Sequence, residues 1–262
     1  MDIRTLYSDA LEILERLEQE RRSTGHASPT ELYWGGYVDA LCRAQENLNR
    51  ADLNWADEGV SRMFSKEHVQ RSITRQIKAC DACPLHQRRT NPVPGTGPLW
   101  TPLAIVGEAP GADEDHAGEP FVGRCGDLLF GKDGRSGPIM DVLGYARNNI
   151  LIRNIVCCRP PGNRAPEPEE IHSCRRYLRW SLLNAYPKVI IALGATAVSW
   201  FVGETTTIGS VRGKTLTWET IMVVPTYHPG YLLRNPSAMD KFTEDLERVR
   251  GLLTKTMEDT TT

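Results

Sequence analysis

The sequence predicts an α/β protein built on a mainly parallel sheet with helices on both faces. Apolar runs typical of buried strands lie at residues 103–106, 150–156, 189–193 and 221–224. Stretches with a helical spacing of hydrophobic residues lie at residues 138–145, 167–184, 195–202 and 238–253. Because parallel strands need long crossover connections, which helices usually supply, this alternation indicates βαβ units.

The first part of the chain has a sequence pattern typical of successive helices, with no strand predicted between them. Residues 1–22 carry an amphipathic stripe, and Ser28, Pro29 and Glu31 supply an N-cap, a first-turn proline and a capping-box glutamate for a second helix that runs toward residue 49. A third helix is predicted over residues 65–79. We therefore expect a helical extension over residues 1–75, an α/β domain over 76–253 and a disordered tail over 254–262.

Composition narrows the class of protein. The 262 residues are 24% charged and 40% hydrophobic, as in ordinary globular domains. No apolar run is long enough to span a bilayer, and the first residues lack a signal-peptide pattern, so we expect a cytoplasmic monomer with no membrane partner. The net charge of -2 argues against a general polycation. A nucleic-acid partner therefore needs a local basic face.

The cysteines indicate a metal or cluster site. There are seven, an odd number that disfavours a pure disulfide framework. Cys80 and Cys83 form a C-x-x-C pair after a predicted helix, whereas a thioredoxin-type pair follows a strand. Cys158 and Cys174 follow much later, on two further segments. Four thiolates from three segments suit zinc or an iron–sulfur cluster, and the spacing leaves that choice open. The alternative is that Cys174 packs as a small apolar residue.

A loop rich in acidic residues and glycine follows the first predicted strand after Gly107. In open parallel sheets, ligands bind beyond the carboxyl ends of the strands, so this loop is a candidate ligand site. His228 follows the last predicted strand at the same edge, with a purely structural capping role as the alternative. The run Leu232-Leu233-Arg234 beside it combines an apolar wedge with a cation that suits phosphate.

A glycine-rich segment, Gly95-Thr96-Gly97, lies upstream of the first predicted strand. It lacks the Lys-Ser/Thr pair of a P-loop, and no helix follows it as in a dinucleotide fingerprint. The segment is compatible with backbone amides that approach a phosphate.

Together these segments resemble the family 4 uracil-DNA glycosylases, the iron–sulfur branch of the uracil-DNA glycosylase superfamily. The resemblance covers residues 78–250, and its motifs occur in the family order. The motifs are Cys80-x-x-Cys83-Pro-Leu, Val93-Pro-Gly-Thr-Gly97, Gly107-Glu-Ala-Pro-Gly-Ala-Asp-Glu-Asp115, Gly118-Glu-Pro-Phe-Val-Gly123, Asn154-Ile-Val-Cys-Cys158-Arg-Pro-Pro, Asn163-Arg164, Cys174, Leu193-Gly194 and His228-Pro-Gly-Tyr-Leu-Leu-Arg234.

The resemblance implies a three-layer α/β/α sandwich around a four-stranded sheet. It implies an enzyme of DNA repair that flips uracil out of DNA and hydrolyses its N-glycosidic bond, leaving an abasic site. It also implies a [4Fe-4S] cluster with a mainly structural role, held by Cys80, Cys83, Cys158 and Cys174.

This reaction builds positive charge on the deoxyribose and negative charge on the departing base. Within the resemblance, Glu108 and Asp115 are the candidate carboxylates for the sugar side, and His228 is expected to donate to O2 of the leaving pyrimidine. A flipped base also needs an aromatic platform and an amide that reads its edge, which we assign to Phe121 and Asn154. The remaining expected contacts are Ala109 to the base and Leu232, Leu233, Arg234, Gly95, Gly97 and Arg164 to DNA.

Three features depart from the family pattern: the N-terminal extension, Cys125 in place of a small alanine, and a polar loop between Leu129 and Pro138. The last two lie close in sequence to the predicted pocket. A glycosylase that excises a modified pyrimidine, for example from phage DNA as a defence function, therefore stays open. A catalytically silent DNA-binding module and an electron-transfer protein stay open as well.

Overall fold

The computed structural model describes residues 66–258, which form a five-stranded sheet between two layers of helices. The helices expected within residues 1–49 lie outside this range. The strands are β1 Leu103–Gly107, β2 Leu151–Asn154, β3 Val189–Leu193, β4 Leu216–Trp218 and β5 Ile221–Thr226. Their order across the sheet is β2-β1-β3-β5-β4. The four strands predicted from the sequence are parallel, and the short β4 adds a fifth, antiparallel strand beside β5.

The parallel strands are covered on both faces, which explains why they read as continuous apolar runs in the sequence. In β1, Ala104 and Val106 belong to the hydrophobic core on one face of the sheet. Leu103 and Ile105 belong to the core on the other face. The resulting three-layer α/β/α arrangement is the one that the resemblance implied.

The helices agree with the sequence predictions where they are long. They are α1 Lys66–Lys78, α2 Ala112–Ala117, α3 Arg124–Phe130, α4 Gly137–Leu143, α5 Pro168–Ala185, α6 Ala195–Val202, α7 Ile208–Val211, α8 Pro229–Arg234 and α9 Met239–Glu258. Helices α2, α3, α7 and α8 were not predicted, because four to seven residues are too few to show a hydrophobic period. Helix α9 continues through Glu258, past the start of the expected tail.

Helix α1 lies in the same compact unit as the sheet, although most of its residues fall within the predicted extension. Its Ile73 and Ile77 are buried in the core that also contains Tyr177 and Leu178 of α5. Within residues 66–258, no helix combines the length and the apolar composition that a membrane span requires.

The strand order places a crevice at one edge of the sheet. The chain passes from β1 to β2 on one side and then returns past β1 to β3 on the other. Ligands bind in α/β folds beyond the carboxyl ends of strands at such a reversal. The acidic loop after β1, Asn154 at the end of β2 and His228 after β5 all lie at this edge.

Candidate active site

Three side chains meet beyond the carboxyl ends of β1, β2 and β5. Gly107 ends β1 and pairs in register with Asn154, the last residue of β2. A Cβ at Gly107 would lie 2.5 Å from Asn154 Oδ1 and 2.7 Å from Phe121 Cζ, so the amide and the ring both stand against this glycine. The ring centroids of Phe121 and His228 are 6.4 Å apart. We call Phe121, Asn154 and His228 the strand-end cluster.

The Asn154 side chain carries a buried hydrogen-bond acceptor that the described part of the protein leaves unpaired. Its side chain is buried, and Oδ1 has no hydrogen-bond partner among the residues that the structure describes. A buried acceptor left unpaired costs about 1–3 kcal/mol. Such an atom at the mouth of a crevice indicates that a ligand brings the missing donor.

The backbone around Phe121 is held in an uncommon conformation. Phe121 has φ +52°, in the left-handed region that non-glycine residues rarely adopt. The Arg147 guanidinium donates from Nη1 to the Phe121 carbonyl at 2.9 Å and from Nη2 to the Pro120 carbonyl. The Glu114 carboxylate accepts the N–H groups of the next two residues at 3.1 and 3.0 Å. Contacts on both sides of Phe121 therefore offset the cost of its conformation.

His228 caps a helix with one ring nitrogen and keeps the other ring nitrogen as a possible donor. Its Nδ1 accepts the Gly230 N–H at 3.1 Å and so caps α8. Because Nδ1 acts as an acceptor, the proton of the neutral ring lies on Nε2. Burial, assisted by repulsion from Arg234, lowers the pKa of His228 from 6.5 to about 4. The capping role and a donor role at Nε2 are therefore compatible.

The two candidate carboxylates have different surroundings. Asp115 is buried, and its carboxylate accepts the N–H groups of Thr90 at 2.9 Å and Asn91 at 3.4 Å. It therefore anchors a neighbouring segment, and its role on the sugar side stays a prediction. Glu108 follows Gly107 directly and is half-buried. Its place beside the cluster makes it the better candidate for the sugar side.

Five cysteines line a recess near the end of α1 and the middle of α5; they are Cys80, Cys83, Cys157, Cys158 and Cys174. Two donors reach its sulfur atoms. Arg89 Nη1 donates to Cys158 Sγ at 3.1 Å, and the Cys157 N–H donates to Cys174 Sγ at 3.3 Å. Burial raises the pKa of Cys158 to about 11, although Arg89 opposes the shift.

The arrangement and the chemistry of these thiols limit the kind of metal ion or cluster that they can bind. Within residues 66–258, no three His, Cys, Asp or Glu side chains are arranged around a single metal ion. Thiolates are ligands both of zinc and of iron–sulfur clusters, so the chemistry of the donor set suits either group.

Comparison with known proteins gives the family. The family model described as the uracil DNA glycosylase superfamily matches residues 94–250. A type-4 uracil-DNA glycosylase of Thermotoga maritima is 42% identical over 197 residues, which cover 74% of this chain and 99% of the relative. The chain belongs to the uracil-DNA glycosylase superfamily.

Within the superfamily, the chain is more similar to type-4 than to type-5 enzymes. In Pyrobaculum aerophilum, a type-4 uracil-DNA glycosylase is 42% identical over 183 residues, covering 67% of this chain and 90% of the relative. A type-5 uracil-DNA glycosylase of the same organism is 27% identical over 191 residues, covering 68% of this chain and 84% of that relative.

Helix α8 of this superfamily member exposes only part of the predicted wedge. Leu232 is 1% exposed and packs in the core on one face of the sheet, so packing is sufficient reason for this leucine and its contact with DNA stays a prediction. Leu233 is half-buried and Arg234 is exposed. Tyr231 is exposed and stacks on Tyr227 with ring centroids 4.8 Å apart. The helical turn directs one leucine inward and leaves its neighbours at the surface.

The glycine-rich segment is pinned to the free edge of β2. Thr96 exchanges backbone hydrogen bonds with Ile152, at 3.1 and 2.9 Å. Gly95 and Gly97 have φ values of +97° and +88°, and a Cβ at Gly97 would lie 1.7 Å from the Ile150 carbonyl oxygen. Packing on β2 is thus sufficient reason for both glycines, and their contact with DNA stays a prediction.

The contacts that the structure gives for Arg164 and Ala109 are with residues outside the strand-end cluster. Arg164 forms a two-pronged ion pair with Glu170 at 2.9 and 2.7 Å, so its charge is already compensated at the start of α5. Ala109 is half-buried and packs against the core on the cysteine side of the sheet.

Sequence reasoning missed Arg147 and Glu114, which hold the Phe121 backbone. Glu114 stands at the third position of α2 and accepts the Gly111 N–H, a capping-box pattern that is readable in the sequence. Arg147 has no comparable signal, because its two carbonyl partners lie 26 and 27 residues away.

Proposed function

We propose that this chain is a uracil-DNA glycosylase that flips uracil out of DNA and hydrolyses its N-glycosidic bond, leaving an abasic site. The buried, unpartnered Oδ1 of Asn154 beside the Phe121 ring is the observation that carries this proposal. The similarity to type-4 uracil-DNA glycosylases supports it.

The Asn154 amide suits uracil and not cytosine. Its Oδ1 needs a donor, which the uracil N3–H supplies, while its Nδ2 can donate to uracil O4. Cytosine presents an acceptor at N3 and an amino group at position 4, so both contacts would fail. A site with buried polar groups rejects an analogue that leaves them unpaired.

The leaving base is stabilised by His228. As the glycosidic bond breaks, negative charge develops on the pyrimidine, and the Nε2–H of the neutral ring is available to donate to O2. The Gly230 N–H on Nδ1 keeps the imidazole in the tautomer that this donation requires.

The sugar side is assigned to Glu108. A carboxylate there offsets the positive charge on the deoxyribose and orients the attacking water. Glu108 adjoins Gly107, whose missing side chain leaves room for the Asn154 amide and the Phe121 ring, so the base and the sugar are contacted from neighbouring positions. Asp115 is left with its anchoring role.

The cysteine recess is assigned to a [4Fe-4S] cluster held by Cys80, Cys83, Cys158 and Cys174. When bound, the cluster crosslinks three separate chain segments and so stabilises a region of turns. Arg89, which donates to Cys158 Sγ, supplies positive charge beside the thiolates.

DNA is the proposed partner, contacted by the exposed face of α8. Arg234 suits a phosphate, and Leu233 and Tyr231 offer apolar and aromatic surface for the distorted duplex. Since every residue of the strand-end cluster comes from one chain, a monomer is sufficient for the reaction.

Oligonucleotides that contain one uracil test the proposal. We expect strand breaks after alkali treatment with the wild type and far fewer at equal reaction time with His228→Ala or Asn154→Ala, while the exposed His116→Ala serves as the matched control with full activity. Mass analysis identifies the released base. DNA binding without any abasic product would support the silent module instead, and release of only a modified pyrimidine would support the variant substrate.

A further inference from the structure

The cysteine recess holds one thiol more than a four-ligand cluster needs. Cys157 lines it together with Cys80, Cys83, Cys158 and Cys174. We propose that Cys157 is a reserve ligand, which binds the iron in place of Cys174 when the Cys174 sulfur is lost. This inference rests on the proposed iron–sulfur cluster.

Cys157 lies directly against the sulfur that it would replace. Its backbone N–H donates to Cys174 Sγ at 3.3 Å, and both side chains line the same recess. Both residues are buried, at 7% and 8% exposure. Removal of Cys174 Sγ therefore opens space next to the Cys157 thiol inside the same recess.

Cys157 is placed to replace Cys174 and not the other three ligands. Cys80 and Cys83 are half-buried residues of the segment after the end of α1, and Cys158 Sγ is bound by Arg89. The backbone N–H of Cys157, in contrast, donates to Cys174 Sγ. Cys157 thus contacts one ligand position in particular.

The exchange is chemically balanced without an added oxidant or reductant. The bond between iron and the Cys174 sulfur is absent, the Cys157 thiol releases its proton to solvent, and its sulfur forms the new bond to iron. Thiolate is the form that binds metal, so the new bond to iron takes the place of the proton of the Cys157 thiol.

The test compares the iron and acid-labile sulfide content and the EPR spectrum of anaerobically purified full-length variants. We expect Cys174→Ala to keep its iron, and Cys157→Ala/Cys174→Ala and Cys83→Ala to lose it. Cys157→Ala alone and Cys125→Ala, outside the recess, are the controls that keep iron. Cys174→Ser, with a smaller change of side-chain volume, is measured beside Cys174→Ala in case the alanine variant fails to fold.

Two results would overturn the proposal. If Cys174→Ala and Cys174→Ser lose iron as completely as the double variant, Cys157 is not a ligand in reserve. If the double variant keeps its iron, another group replaces Cys174. A wild type without iron and sulfide overturns the cluster and the reserve ligand together, whereas loss of uracil release with iron retained concerns the strand-end cluster alone.

Discussion

Replacing Asn154 by alanine separates the recognition of the base from the stability of the fold. The substitution removes two hydrogen bonds to uracil in the proposed complex, each worth about 1–3 kcal/mol when its partner is left buried. The sum of about 2–6 kcal/mol corresponds to a fall in kcat/KM of about 30-fold to about 10⁴-fold.

The folded protein without DNA should not suffer from the same change. Oδ1 of Asn154 has no hydrogen-bond partner in the described part of the chain, so truncation there breaks no bond at that atom. An unpaired buried acceptor is itself a cost of about 1–3 kcal/mol, which alanine removes. We therefore expect the melting temperature of Asn154→Ala to equal or exceed that of the wild type.

The assay measures kcat/KM for uracil release under single-turnover conditions, with thermal unfolding on the same preparations. Asn184→Ala is the matched control, because Asn184 Nδ2 donates to the Trp180 carbonyl within α5 at 2.8 Å, away from the strand-end cluster. A loss of less than about threefold in kcat/KM, well below the value of one hydrogen bond, would refute the reasoning. A fall in activity that merely follows a fall in melting temperature would refute it equally.

Three further predictions concern the surroundings of the cluster. Because the pKa of His228 is about 4 in the folded state and near 6.5 when unfolded, the wild type should lose stability in urea as pH falls from about 6.5 toward 4, and His228→Gln should lose less. Arg147→Met should destabilise the fold by about 2–4 kcal/mol and lower kcat/KM, because it frees two carbonyls and the strained Phe121 backbone. Leu232→Ala should cost about 2–4 kcal/mol of stability in denaturant unfolding, whereas Leu233→Ala should weaken binding to abasic DNA with little effect on stability.

Each of these predictions has a result that contradicts it. Equal acid sensitivity of the wild type and His228→Gln would mean that burial does not hold the imidazole neutral. Arg147→Lys is measured beside Arg147→Met, because lysine keeps the charge but loses the planar fork of donors. Activity equal to wild type in both variants would contradict the proposal that Arg147 holds the Phe121 backbone in place. Loss of DNA affinity in Leu232→Ala at unchanged stability would restore Leu232 as a surface wedge.

Much of the fold could be predicted because its strands are buried on both faces. Runs such as residues 189–193 are apolar at every position, and the structure has them as β3 with the same bounds. The antiparallel β4 escaped prediction, because it has three residues and only Trp218 among them is buried. Its pairing with β5 is a tertiary contact with no pattern of its own.

The candidate site was predictable where a residue ends a strand. Asn154 lies in one predicted strand and His228 lies shortly after another, and parallel strands bring the residues at their carboxyl ends to one edge. The packing of Asp115 and Leu232 could not be predicted, because motif membership does not tell which way a side chain points. One turn of helix directs Leu232 into the core, and a neighbouring backbone segment takes both oxygens of Asp115.

The order of apolar runs and motifs along this chain determined the parallel sheet, the edge that carries the site and the family, since these depend on local periodicity and on residue identity. Only the tertiary structure decided that Arg147 clamps Phe121 and that Cys157 lies against Cys174. Those contacts join residues 26 and 17 positions apart. Their existence depends on how helices and loops pack over the sheet, which no local pattern encodes.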